Sequence, residues 1–194
     1  MSEICVYCGA NPGSDPAFAT AARDLGRAIA ATGHGLVYGG GRVGLMGIVA
    51  DSALEIGGRV TGFIPRALAD REVAHRGLTE LVVTDSMHAR KAGMEQQADG
   101  FIALPGGFGT LDEVLEVLTW NQIGSIAKPV AFLNVNSFFE SLFSFFDKAV
   151  EVGLLMPAHR EMAQLANTID EAIVIATGDA PTSPSKWTDT FVTP

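Results

Sequence analysis

Two patterns alternate along the chain. Short runs of nearly uninterrupted apolar residues give way to longer stretches in which apolar positions recur every three or four residues. The short runs are ICVYCG, GLVYGG, RVTGFIP, LTELVVT, GFIALPGG and KPVAFLN, rich in β-branched or aromatic residues and often closed by Gly or Pro. They read as strands, and their lack of polar alternation marks strands covered on both faces. Between them, residues 15–31, 44–56, 87–98, 110–122 and 137–152 carry helical periodicity. Thr168-Ile-Asp-Glu171 has the form of a capping box opening one more helix. Strands alternating with helices predict βαβ units. The expected fold is therefore α/β: a Rossmann-like, doubly wound parallel sheet with helices on both faces. One domain is expected over residues 1–178, followed by an irregular Pro/Ser/Thr tail over residues 179–194.

In such a sheet ligands bind beyond the carboxyl ends of the strands. Three glycine-bearing loops fall there: CGANPGS (8–14), YGGGRVGLMG (38–47) and LPGGFGTLDE (104–113). The second matches GxGxxG at Gly39–Gly44, but it follows the second strand, and the next strand ends in Ile64-Pro65-Arg66 without the acid a dinucleotide site requires. It reads instead as a glycine-lined wall that a nucleotide approaches, or as a tight turn with close helix packing. The third lacks the lysine of a phosphate-binding P-loop. What remains is a bare helix N-terminus around Gly106 to Thr110, which suits a single phosphate without a metal.

Composition narrows the partners. A 194-residue chain with 47% hydrophobic and 18% charged residues can bury a full core. Its net charge of −9 disfavours nucleic acid and anionic membrane surfaces. The N-terminus enters a strand pattern without a basic segment before it, and no apolar run reaches membrane-spanning length. A cytoplasmic protein is expected. Cys5 and Cys8 lie three apart on a strand and so face opposite ways. His34, His75, His88 and His159 show no ligand spacing. The cysteines therefore read as buried, reduced core residues rather than a metal or redox pair.

The acids of the third loop have two readings. Thr110-Leu-Asp-Glu113 has capping-box form, which would make Glu113 a cap; in a ligand site it would be a catalytic carboxylate. Met87-His-Ala-Arg-Lys91 bears on the choice. Asp85 or Ser86 can cap the helix it opens, which leaves two cations in the first turns, against the helix dipole. Lys91 has Glu95 at i+4, whereas Arg90 has no acid at i±3 or i±4. Arg90 is expected to reach across the strand ends to Glu113 or to an anionic ligand.

Met87-His-Ala-Arg-Lys91, Pro105-Gly-Gly-Phe-Gly-Thr-Leu-Asp-Glu113 and Leu118-Thr-Trp-Asn-Gln together resemble the LONELY GUY family of cytokinin riboside 5′-monophosphate phosphoribohydrolases. The similarity runs from CVYCGANPGS to FFDKAVEVG and spares the tail. It implies hydrolysis of the N-glycosidic bond of a nucleoside 5′-monophosphate, cytokinin type or AMP, with no cofactor. In that chemistry a carboxylate stabilises the oxocarbenium-like ribose and orients or deprotonates water. By resemblance Glu113 is that carboxylate and Arg90 its partner. Gly107, Phe108, Gly109 and Thr110 would hold the phosphate and Lys91 would neutralise it. Glu72 matches a substrate-binding glutamate, and the implied binding set also takes in Gly106, Leu111, Asp112, Thr119, Ser14 and Gly41. Phe108 stands where a tyrosine is common and Asp112 where a glutamate is common.

Two rivals follow from the same resemblance. Relatives labelled lysine decarboxylases suggest a pyridoxal phosphate enzyme, for which Lys91, Lys128, Lys148 and Lys186 are the available lysines; no partner for a pyridinium nitrogen is recognisable. The same loop type in molybdenum-cofactor carriers suggests a binding protein without chemistry.

Ser137-Phe-Phe-Glu-Ser-Leu-Phe-Ser-Phe-Phe-Asp147 holds five of the chain's eleven phenylalanines. On a helical wheel Phe138, Leu142, Phe145 and Phe146 form one stripe, which Phe139 and Phe143 widen beyond a usual core face. One reading is a deeply buried helix. The other, which the resemblance also implies, is a homodimer in which this surface and that around Trp120 meet a second copy.

Overall fold

The computed structural model describes residues 1–69 and 73–181. Glu72 and most of the expected tail, residues 182–194, lie outside the described residues.

Among the described residues seven parallel strands form a single sheet: β1 (Glu3–Tyr7), β2 (Gly35–Tyr38), β3 (Val60–Pro65), β4 (Glu80–Thr84), β5 (Gly100–Ala103), β6 (Val130–Leu133) and β7 (Ala163–Ala166), in the order β4-β3-β2-β1-β5-β6-β7. The doubly wound parallel sheet read from the sequence is thus the observed fold. β7 is the strand the hydrophobic pattern missed. Its four residues, AQLA, are short, and at the sheet edge two of them are only partly buried.

Packed on one face are α1 (Pro16–Ala31), α2 (Gly44–Leu54) and α8 (Ile169–Thr177). Leu25 and Ile29 of α1, Val49 of α2 and Ala172 and Ala176 of α8 bury there against Ile4, Val6 and Ile102. The opposite face is covered by α4 (Met87–Gln97), α5 (Phe108–Gln122) and α6 (Glu140–Glu151). Met94, Val114, Val117, Phe143 and Phe146 bury against Val37, Phe101 and Phe132. α3 (Arg66–Ala69) and α7 (Pro157–Arg160) are single turns that periodicity cannot register. Cys5 and Cys8 fall in opposite face clusters, both buried and unbonded. Burial, reinforced by the negative charge of Glu113, keeps both thiols protonated well above the ordinary thiol range.

Local signals explain where the helices begin. Asp15 caps α1 by accepting from the Ala17 amide at 2.9 Å. Ser86 caps α4 through the Ala89 amide, and the capping box at Thr168 and Glu171 opens α8 as its sequence predicts. α6 departs from expectation. Asn136 and Ser137 take positive φ of 49° and 60°, so the helix starts at Glu140, preceded by a 3₁₀ turn. Phe138 and Phe139 precede the helix, and the stripe read on the wheel is not the buried one. The buried face is Phe139, Phe143 and Phe146, whereas Phe138 is 42% and Phe145 66% exposed. Among the described residues no helix is long and apolar enough to cross a membrane.

Candidate active site

Strand order reverses between β1 and β5, which are neighbours in the sheet but separated by three strands in the chain. Two loops part company at such a switch point and leave a crevice. Here the first glycine loop leaves β1 and the third leaves β5. The Gly9 amide donates to the Pro105 carbonyl at 3.1 Å, closing the floor. Above it opens a cavity of about 490 Å³, within the roughly 300–1,000 Å³ of small-ligand sites. Gly106, Gly107, Gly109, Thr110, Glu113 and Arg90 line one part of it. The remainder is largely apolar, formed by Ala10, Pro12, Phe18, Leu45, Met46, Leu68 and Phe138, with Cys8 beside them.

α5 begins at Phe108 with Gly107 as its N-cap and no side-chain cap. That start decides the standing of Glu113. Thr110 lies inside the first turn rather than at the cap, so the capping-box geometry is absent, and Glu113 sits in the second turn facing α4. Its Oε1 accepts from Nη1 of Arg90 at 2.8 Å, with both side chains 9% exposed. Arg90 is further held by the Phe63 carbonyl, which accepts from Nε at 3.1 Å, and by the Gly39 carbonyl, which accepts from Nη2 at 3.3 Å. The cation that tolerated an unfavourable helix terminus thus finds its compensation across the strand ends. Burial lifts the Glu113 carboxyl above the ordinary carboxylate range; Arg90 pulls against that shift and Asp112 adds to it.

The glycines of the third loop divide by function. A Cβ at Gly106 would strike Thr110 and the Gly9 amide, so packing requires that glycine. A Cβ at Gly107 or Gly109 would meet nothing within 4 Å, and neither residue has a positive φ. Neither packing nor backbone conformation asks for glycine at these two positions. They leave the uncapped amides of α5 open to a ligand.

Other expected residues stand elsewhere. Lys91 does not line the cavity, contrary to the phosphate-neutralising place implied for it. Its Nζ lies 3.1 Å from both Asp112 and Glu116, two carboxylates one turn apart on α5 that capture the ammonium. Burial opposes its charge, but those hydrogen bonds outweigh it and hold Lys91 above the usual lysine range. Glu95, the i+4 acid, instead pairs with Lys128 at 2.7 Å. Phe108 is 95% exposed and its ring does not line the cavity. Leu111 is half-buried outside it, and Asp112 faces Lys91. Ser14 is exposed next to cavity-lining Gly13, and Gly41 is buried in a bridge to Ala74. Thr119 lines a separate apolar groove with Leu118, Phe145 and Leu155. That Phe18, Leu45, Met46 and Phe138 join in one apolar wall is not visible in the sequence, because they come from distant segments. The two rings meet edge to face at 5.6 Å.

Residues 46–175 match the family described as possible lysine decarboxylase. A cytokinin riboside 5′-monophosphate phosphoribohydrolase of Arabidopsis thaliana is 46% identical over 171 residues, 88% of this chain and 80% of that protein. The chain belongs to the LONELY GUY family. A probable member from Oryza sativa subsp. japonica is likewise 46% identical, over 88% of this chain and 70% of its own. Among solved structures, the molybdenum cofactor binding protein of Rippkaea orientalis superposes with a TM-score of 0.67 at 24% identity, covering 89% of this chain and 93% of that one. At that identity the likeness is one of fold. Within this LONELY GUY family member, the Arg90–Glu113 pair, the open glycines and the cavity are assembled from segments that follow β1, β2, β3, β4, β5 and β6.

Proposed function

We propose that the protein hydrolyses the N-glycosidic bond of cytokinin riboside 5′-monophosphates, and of AMP, releasing the free base and ribose 5-phosphate. The observation that carries this reading is the buried Arg90–Glu113 pair on a cavity whose edge is an uncapped helix N-terminus. The phosphate docks on the amides of Gly107 to Thr110, where the helix dipole favours an anion. The anomeric carbon then lies near Glu113. As the bond to the base breaks, its electrons leave with the base nitrogen and positive charge grows on the ribose ring. The Glu113 carboxylate stabilises that charge and takes a proton from the attacking water, whose oxygen bonds the anomeric carbon. Arg90 stays charged throughout and holds Oε1, fixing the carboxylate's orientation. The departing base nitrogen takes up a proton from solvent and Glu113 returns the water's proton to solvent, so that one water is divided between ribose 5-phosphate and base.

A carrier without chemistry has no use for a carboxylate buried against a guanidinium beside an anion cradle, where its charge repels the bound phosphate. Lys91, ion-paired away from the cavity with two carboxylates holding its charge, is unsuited to form a Schiff base. The relatives' names support the hydrolase reading. The unpaired buried thiols support a reducing, cytoplasmic setting. Phe145 and Leu154, 66% and 84% exposed beside the apolar groove, support a homodimer.

The test is a hydrolysis panel of N6-isopentenyl-AMP, AMP, GMP and the corresponding nucleosides, with free base resolved by chromatography. Release of base from the adenine monophosphates and not from the nucleosides is expected. Tight binding of the monophosphates without release of base would support the carrier instead.

A further inference from the structure

Three consecutive glycines, Gly39-Gly40-Gly41, follow β2, and the nucleotide-facing role the sequence suggests does not account for the first of them. Gly39 does not line the cavity. Its φ is not positive, so its backbone does not demand glycine. Gly40 is the contrasting case, with φ of 70°.

Space is what Gly39 supplies. A Cβ built there would overlap Nη2 of Arg90 far inside contact distance and lie 2.9 Å from its Cζ. The Gly39 carbonyl meanwhile accepts from the same Nη2 at 3.3 Å. The guanidinium is pinned on its other sides by the Phe63 carbonyl at 3.1 Å and by Glu113 at 2.8 Å, and the residue is only 7% exposed. It has no free direction in which to yield to a methyl group. A flexible side-chain end would move aside, but a planar fork held by three acceptors moves only by releasing one of them.

We propose that Gly39 is a positioning residue for Arg90: its missing side chain makes the berth and its carbonyl orients the fork, so that Nη1 meets Glu113. This rests on the catalytic reading of the Arg90–Glu113 pair. The glycine run is then a seat for a protein cation at its first position, not only a wall for ligand.

A double-mutant cycle tests it with two independent readouts. Gly39→Ala, Arg90→Ala and the double variant are compared with wild type in thermal unfolding and in base release from AMP. Overpacking against a fixed neighbour costs stability. Gly39→Ala is therefore expected to lower Tm by roughly 5 °C or more in a domain of this size. In the Arg90→Ala background, where the berth is empty, the same change should leave Tm within about 1 °C. Turnover should fall at least about tenfold in Gly39→Ala with a smaller change in KM, and Gly39→Ala should add nothing further once Arg90 is gone. The melting arm stands whether or not the protein hydrolyses AMP, so failure of the catalytic reading is separable from failure of this one. A Gly39→Ala protein that cannot be recovered while the double variant folds supports the proposal. An equal loss of Tm in both backgrounds, or failure of both to fold, overturns it, because the obstruction would then lie outside Arg90.

Discussion

Arg90 of α4 and Glu113 of α5 meet at 2.8 Å, both buried, at the carboxyl end of the sheet. Their helices are successive, joined through β5, and the pair forms because α4, which leaves the edge strand β4, packs back across β3, β2 and β1 toward the start of α5. Removing one partner of a buried pair strands a charge in a poorly solvated site, at a cost of about 3–5 kcal/mol. Such a pair also keeps the carboxylate fixed for chemistry. Arg90→Lys retains charge but loses the planar fork and its three-way anchoring. It is expected to lower kcat for base release by a hundredfold or more, the scale of losing an oriented electrostatic stabiliser. Steady-state kinetics with folding checked by circular dichroism measures it; activity within threefold of wild type would show that only charge matters at this position.

Proton uptake by Glu113 gives the second prediction. Burial, with the nearby charge of Asp112, raises its pKa, and below that pKa the carboxyl is neutral and cannot stabilise a cationic ribose. The acid limb of kcat/KM should therefore lie above the ordinary glutamate value of about 4.3, with activity rising as pH rises through it. Asp112→Asn removes a charge that favours the protonated form, so the limb should move to lower pH. A pH–rate profile in a constant-ionic-strength buffer reads both. A limb that Asp112→Asn leaves in place, or moves upward, would contradict the assignment.

Gly107 and Gly109 are open positions that no neighbour occupies. Gly107→Ala and Gly109→Ala should leave Tm within about 2 °C of wild type. They should nevertheless raise KM for AMP about tenfold, because a methyl group intrudes where the phosphate approaches the amides. Calorimetric melting paired with kinetics separates the effects. Loss of stability without loss of phosphate affinity would return these glycines to a packing role.

Much of this arrangement was legible in the sequence, and the gaps have physical causes. The strand runs stand out because both faces of the sheet are buried, and Arg90 stood out because its own helix offers it no acid. Glu113 stayed ambiguous because a capping box and a catalytic turn share the same spacing; only the helix start at Phe108, two residues ahead of Thr110, separates them. Lys91 pairs with Asp112 and Glu116 rather than with the i+4 acid Glu95, because only the local neighbour is visible in sequence. On the phenylalanine helix the stripe and its flank are equally apolar, so the sequence does not say which edge turns inward.

Exposed Phe145 and Leu154 give a prediction about assembly. With a chain mass of 20.4 kDa, light scattering at micromolar concentration should report twice that mass. Phe145→Glu should lower it toward one copy. A monomeric wild-type protein with full activity would overturn the dimer.

The central claim is that Glu113 turns a phosphate-anchored nucleotide into free base. Glu113→Gln keeps the size and the contact with Arg90 and removes only the carboxylate charge. With N6-isopentenyl-AMP as substrate, wild type should release equal amounts of free base and ribose 5-phosphate. The Glu113→Gln protein, folded and still binding the nucleotide, should release them at least about a hundredfold more slowly. Near-normal release from Glu113→Gln, or none from wild type, would contradict the account.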